Sequence, residues 1–140
     1  KKVVFANGCF DILHVGHVRF LKGAKAKGDV LVLGLNSDAS VRKLNGKGRP
    51  LVNQRDRAEL MAAFEFVDYV TVFGEQTVEK TLRIIKPDYH AKGTDYTKDT
   101  VPEKGIAKEL GIKIAIVGDK KNHSTKDIIK TITERYGCVK

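Results

Sequence analysis

The sequence predicts an α/β fold, an open, doubly wound, mostly parallel sheet of five strands with helices between them. Three observations carry that expectation. Short apolar runs alternate along the chain with segments whose apolar residues recur at helical spacing. The run Val30-Leu31-Val32-Leu33-Gly34-Leu35 is almost continuously apolar, as a strand buried on both faces must be. Glycine or proline punctuates most of the handovers, and right-handed crossovers are the connections such units adopt.

Residues 3–6 read as the first strand, with Asn7-Gly8 as a turn behind it. Val15, Val18, Leu21 and Ala24 share one face of a helix over 15–26, which Gly28 closes as a C-terminal glycine. Residues 30–35 form the second strand. Ser37 or Asp38 caps a short helix through Leu44, and 45–50 is a basic, glycine-containing loop. Asn53 caps a helix reaching about Phe66, with Arg57, Leu60, Met61 and Phe64 marking its faces. Residues 67–73 are the third strand and 77–85 the next helix, which Pro87 stops ahead of a strand over 88–91. A polar loop covers 92–100, a helix closed by Gly111 covers 101–110, and the last strand is 112–117. The final helix runs from Ser124 to about Tyr136. No repeat or linker interrupts this order, so residues 1–140 are expected to form a single domain.

Composition narrows the function. A chain of 140 residues buries a core without disulfide or metal staples. No apolar run reaches the length of a membrane span and no signal-peptide pattern opens the chain, which argues against a membrane partner. It opens at Lys1 without Met, compatible with a piece excised from a longer protein. Cys9 and Cys138 stand at opposite ends with no metal-ligand spacing, which fits a reducing, cytoplasmic setting. The net charge of +9 invites a nucleic-acid reading. The Lys and Arg residues are spread over the whole chain, however, with no RNA-binding signature. Small phosphorylated ligands are the better expectation, and a non-catalytic basic nucleic-acid-binding module is the alternative of a different class.

The chemistry concentrates where the first strand hands over to the first helix. His14 in the loop and His17 in the first helical turn flank Gly16. A helix N-terminus attracts anions, two imidazoles add donors, and glycine lets backbone approach a phosphate. A solitary histidine is more often packed or solvated than catalytic. Two of them, with glycine between and a strand before, point to stabilising charge on a phosphoryl group or departing pyrophosphate. A zinc site would need further ligands, and His90 and His123 lie far along the chain with no Cys nearby, so no protein-bound metal is expected. Asp11 could cap the turn or orient an imidazole. Lys43, Lys47 and Arg49 border a loop able to close over a triphosphate, and Arg57 lies one turn into the following helix. Lys92-Gly93-Thr94-Asp95-Tyr96 and Ser124-Thr125 follow strands on the ligand-binding edge; capping is the default role of the latter pair.

Asn7-Gly8-Cys9-Phe10-Asp11 running into His14-Val15-Gly16-His17 resembles the signature of the cytidylyltransferase-like nucleotidyltransferases and their HxGH motif. Within that superfamily the chain most resembles the adenylyltransferase domains of ADP-heptose synthesis. The stretches that carry the likeness are 34–42, 48–50, 56–58, 67–70, Lys92-Gly93 with Asp95-Tyr96, and Ser124-Thr125.

The resemblance implies a Rossmann-like fold, a dimer, and transfer of AMP from ATP to a sugar 1-phosphate with Mg²⁺ accompanying the triphosphate. It implies that His14, His17, Lys43 and Arg57 act on the phosphates. It also implies that Cys9, Phe10, Asp11, Gly16, Lys47, Arg49, Lys92, Gly93, Asp95, Ser124 and Thr125 bind nucleotide. The chain departs from the pattern at Thr94, where a second glycine is usual, at Val78, where proline is usual, and at His90-Ala91, which replaces a more apolar pair. The approach to Ser124 through Lys120-Lys121-Asn122-His123 is unusually basic. These positions adjoin the acceptor pocket, so FMN adenylyltransfer and cytidylyl transfer to glycerol 3-phosphate stand as alternatives with the same chemistry.

Overall fold

The computed structural model describes residues 1–120 and 124–137. Five strands, β1 (Val3–Gly8), β2 (Val30–Asn36), β3 (Tyr69–Phe73), β4 (Tyr89–Lys92) and β5 (Lys113–Ile116), form one sheet in the order β3-β2-β1-β4-β5. Every pairing is parallel. The chain builds outward from β1 through β2 to β3, then crosses back to lay β4 on the other side of β1. The strand order therefore reverses between β1 and β4, and the crevice at their carboxyl ends is the topological switch point.

Six helices complete the described chain: α1 (Val15–Lys25), α2 (Asp38–Asn45), α3 (Gln54–Ala62), α4 (Glu79–Ile85), α5 (Lys104–Leu110) and α6 (Thr125–Tyr136). Alternation along β1 divides the core into two layers. Val4 and Ala6 pack with Leu21 and Ala24 of α1 and Met61 of α3. Phe5 turns to the other face and packs with Val78, Leu82 of α4 and Ala107 of α5. A sheet covered on both faces explains the continuous apolar run of β2, where Leu31, Leu33 and Leu35 are fully buried on one face and Val32 packs against the Phe5 layer on the other. Each such leucine contributes roughly 1.5–3 kcal/mol by leaving water.

Several local expectations are corrected. Asn7-Gly8 is strand rather than turn, because Asn7 pairs with Gly34 and Gly8 with Leu35 and the ladder continues through them. Gly28 is no helix cap. α1 ends at Lys25 with Ala26 as a right-handed C-cap. A Cβ at residue 28 would stand 2.8 Å from Lys2 O and from Val4 Cγ2, so the glycine serves the close approach of β1. Gly111 does cap α5 in the left-handed region, at φ 70°. α3 stops at Ala62, where Ala63 and Phe64 turn tightly onto Leu60 O and Met61 O, carrying Phe64 and Phe66 against the core. α5 starts at Lys104, later than expected, and the remaining boundaries move by a residue or two. Among the described residues, no helix is long and apolar enough to cross a membrane.

Candidate active site

The first βα turn lies at the switch point, and a cleft of about 390 Å³ opens there. His14 and His17 both line it. His14 is the N-cap of α1, with extended backbone, and its Nδ1 accepts from Gly16 N at 3.1 Å. His17, at the third helical position, returns the contact: its Nδ1 accepts from His14 N at 3.1 Å. This is the reciprocal geometry of a capping box, with imidazoles replacing the usual hydroxyl and carboxylate. The rings stack with centroids 3.9 Å apart. Because each Nδ1 accepts an N–H, each neutral ring carries its proton on Nε2. Anion attraction at this turn thus resides in the imidazoles, which have taken up N–H groups that the bare helix end would otherwise offer.

The turn itself is held from below. Phe10 is buried with φ 49°, an uncommon backbone state for a bulky residue, and its ring lies 5.1 Å from that of His17. Gly8 is the residue that tolerates this ring, since a Cβ there would meet Phe10 Cε2 at 2.8 Å. The Asp11 carboxylate is almost wholly buried and accepts from Arg49 Nε at 2.8 Å, Val52 N at 2.8 Å and Leu51 N at 2.9 Å. Burial alone would raise its pKa; the Leu51 and Val52 N–H groups and the Arg49 guanidinium outweigh it and hold the carboxyl below its ordinary range. Asp11 therefore ties the 49–52 loop to the first turn and presents Arg49 to the cleft.

Arg57 corrects the expectation of a phosphate contact. Its side chain is fully buried and donates to Val52 O, Cys9 O and Asn36 O and to Asp38 Oδ1, all within 2.7–2.9 Å. Four acceptors take four of the five guanidinium N–H groups, and Arg57 does not line the cleft. Burial also pushes the Cys9 thiol up, against the opposing pull of Arg57, so Cys9 borders the cleft as a neutral thiol. Lys43 and Lys47 are exposed, on α2 and the following loop, and neither lines the cleft.

The opposite wall comes from the segments after β4 and β5. Lys92 Nζ approaches Glu103 Oε1 at 3.2 Å, an ion pair without hydrogen-bond alignment, and lies 4.8 Å over the Tyr96 ring. Thr94, in place of the usual glycine, donates from Oγ1 to Asp119 O and so stitches the two loops together. Asp119 in turn pairs with Arg19 of α1 at 2.6 Å. Thr125 donates from Oγ1 to Ile12 O at 2.8 Å, docking the start of α6 on the first turn, while Ser124 Oγ caps α6 by accepting from Asp127 N. The two hydroxyls are thus engaged within the protein, and only Thr125 lines the cleft.

The structure brings Cys9, Phe10, Asp11, His14, Gly16, His17, Arg49, Lys92, Gly93, Asp95 and Thr125 to one cleft, and leaves Lys43, Lys47, Arg57 and Ser124 outside it. His123 lies outside the described residues. Sequence reasoning missed Asn7, which lines the cleft from β1 and bonds the buried His90. Its position in an asparagine–glycine pair disguised it as turn material. Among the described residues no group of three or more His, Cys, Asp or Glu could hold a metal ion.

Comparison with known proteins identifies the family. A family profile described as cytidylyltransferase-like matches residues 5–135. The chain is 48% identical to the bifunctional protein HldE of Geobacter metallireducens over 98% of its own length and 28% of that protein's. It is 51% identical to HldE of Aliarcobacter butzleri over 99% of its length, again 28% of the relative. The chain therefore spans little more than a quarter of the curated relatives it matches. The crystal structure of the lipopolysaccharide core biosynthesis protein from Thermoplasma volcanium superposes with a TM-score of 0.71 at 32% identity, covering 82% of this chain and 93% of that one. A five-stranded parallel sheet with paired imidazoles at its switch point, and kinship over nearly the whole chain, place this chain in the cytidylyltransferase-like family.

Proposed function

We propose that this domain transfers AMP from ATP to a sugar 1-phosphate of the heptose 1-phosphate type, releasing pyrophosphate. The observation that carries the reading is the reciprocal cap of His14 and His17, with both imidazoles lining a cleft of about 390 Å³ at the switch point. A phosphate oxygen of the acceptor attacks the α-phosphorus in line. A P–O bond to the acceptor forms as the bond to the β-phosphate oxygen breaks, and that electron pair leaves with pyrophosphate. The Nε2 donors of His14 and His17 stabilise charge growing on the phosphoryl and leaving oxygens, as preorganised donors do. Arg49, fixed by Asp11, adds a cation at the same rim. Lys92 and Gly93 serve the nucleotide from β4, and Asp95 at the exposed rim faces the nucleoside.

Mg²⁺ would accompany the triphosphate of ATP as part of the substrate, neutralising charge on its oxygens. Kinship with HldE proteins over the full chain supports the sugar-phosphate acceptor. The test is pyrophosphate release from ATP and Mg²⁺ with heptose 1-phosphate, FMN or glycerol 3-phosphate, repeated with CTP. Turnover with heptose 1-phosphate and ATP is expected; turnover only with another pair overturns the substrate assignment. Pairing of two copies is read by light scattering as twice the 15.5 kDa chain mass.

A further inference from the structure

β1 and β4 are neighbours at the switch point, and Phe5 is the register partner of His90. Side chains alternate along a strand, so Asn7 shares a face with Phe5 and His90. His90 is fully buried, with its ring 5.6 Å from that of Phe5 and its Nε2 2.9 Å from Asn7 Oδ1. Burial, and then the Lys92 charge, push its pKa down to about 3, so the ring is neutral at any ordinary pH.

A neutral ring bonded through Nε2 to an amide oxygen carries its proton there. Nδ1 is then a bare acceptor, buried without a hydrogen-bond partner. The other tautomer sets two acceptors, Nε2 and Oδ1, against each other. Flipping the amide relieves that clash only by orphaning an N–H at Nδ1, and unpaired buried N–H groups are the rarer fault. The Asn7 oxygen is thereby held inward. Its Nδ2 accounts for none of the hydrogen bonds among the described residues, while the side chain lines the cleft.

We propose that His90 is a positioning residue that locks the Asn7 amide, so that the Nδ2 donors face the cleft and donate to an oxygen of the phosphorylated ligand. The identity of the ligand rests on the nucleotidyl-transfer reading above; the lock does not. A phosphate oxygen and a sugar hydroxyl present the same acceptor chemistry, and the binding arms below separate them.

Nitrogen NMR of the histidine-labelled protein reads the lock directly. His90 is expected to show a protonated Nε2 and a bare Nδ1, unchanged from about pH 5 to about pH 8. A ring protonated on Nδ1, or one that titrates in that range, overturns the proposal. Asn7→Asp preserves an acceptor for His90 and removes the donors. Calorimetric affinity for ATP or inorganic pyrophosphate is expected to fall about tenfold to a hundredfold, with melting nearly unchanged.

His90→Leu is expected to raise KM more than it lowers kcat, and His90→Gln, which can still donate to Asn7, to restore most of the loss. Should the leucine variant not fold, the glutamine variant and the NMR arm still decide. If Asn7→Asp weakens only sugar phosphate binding, the oxygen belongs to the acceptor, and the lock stands. Full affinity for every ligand in Asn7→Asp, or in a folded His90→Leu, overturns it. Asn7-dependent ATP binding without pyrophosphate release from any acceptor defeats the activity reading and leaves the lock intact.

Discussion

The imidazoles of His14 and His17 stack with centroids 3.9 Å apart, and each Nδ1 takes a backbone N–H from the turn that the pair encloses. The same residues thus start α1 and orient the Nε2 donors, and the two roles can be separated. Asn at 14 and Gln at 17 supply side-chain oxygens for the same N–H groups. We expect His14→Asn and His17→Gln to keep stability within about 1 kcal/mol of the parent. Pyrophosphate release should fall on the order of a hundredfold or more. Full turnover in both variants would reduce the rings to caps.

Arg57 is predicted to act on stability before ligand affinity. Arg57→Met leaves the carbonyls of Val52, Cys9 and Asn36 without their donor. The loss should be on the order of 3 kcal/mol, roughly 10 °C in Tm for a chain of this size. Arg57→Lys should recover little, since one ammonium cannot span four acceptors. A tenfold loss of ATP affinity at unchanged Tm would instead make Arg57 a phosphate ligand.

Asp11 predicts an acid-sensitive loop. Its folded pKa lies below the ordinary 3.8, so its stabilising contribution is complete above that value and is lost as pH falls through the folded one. Hydrogen exchange at 49–52 should accelerate only below about pH 4. Asp11→Asn should exchange fast at neutral pH and show no further change in that acid window. An unchanged pH profile in the variant would mean another group tethers the loop.

His90 predicts a second, wider pH dependence. Its folded pKa, about 3, is depressed from the ordinary 6.5, so between those values the unfolded chain binds the extra proton. Stability should be highest above about pH 6.5 and decline below it by up to about 1.4 kcal/mol per pH unit. Urea unfolding at pH 7.5 and 5.5 measures the slope, and His90→Gln should remove that component. Equal slopes in the two proteins would place the proton uptake elsewhere.

The parallel, doubly wound sheet was legible in the sequence for physical reasons. Strands buried on both faces demand continuous apolar residues, as in β2, and a parallel ladder demands helical crossovers between them. The histidine pair announced itself because two imidazoles and a glycine serve no core. Less legible were features that depend on partners distant in sequence. Asn7 reads as turn until Gly34 is laid beside it, and Gly28 reads as a cap until β1 crosses above it. The charges of Lys43 and Lys47 are visible in sequence, whereas the direction of a flexible side chain is not.

Arg57 and His90 mark the boundary most clearly. Sequence by itself determined that this chain makes a doubly wound sheet, that a histidine pair stands at its first βα turn, and that the chain resembles the cytidylyltransferase-like family. It placed an arginine one helical turn from that edge and a histidine in a short strand. Only the tertiary structure decided that Arg57 spends its donors on Val52, Cys9, Asn36 and Asp38, and that His90 faces Asn7. Local spacing is written in the chain because it follows from backbone geometry. Which acceptor a buried donor meets depends on strands and loops that the chain brings together from far apart.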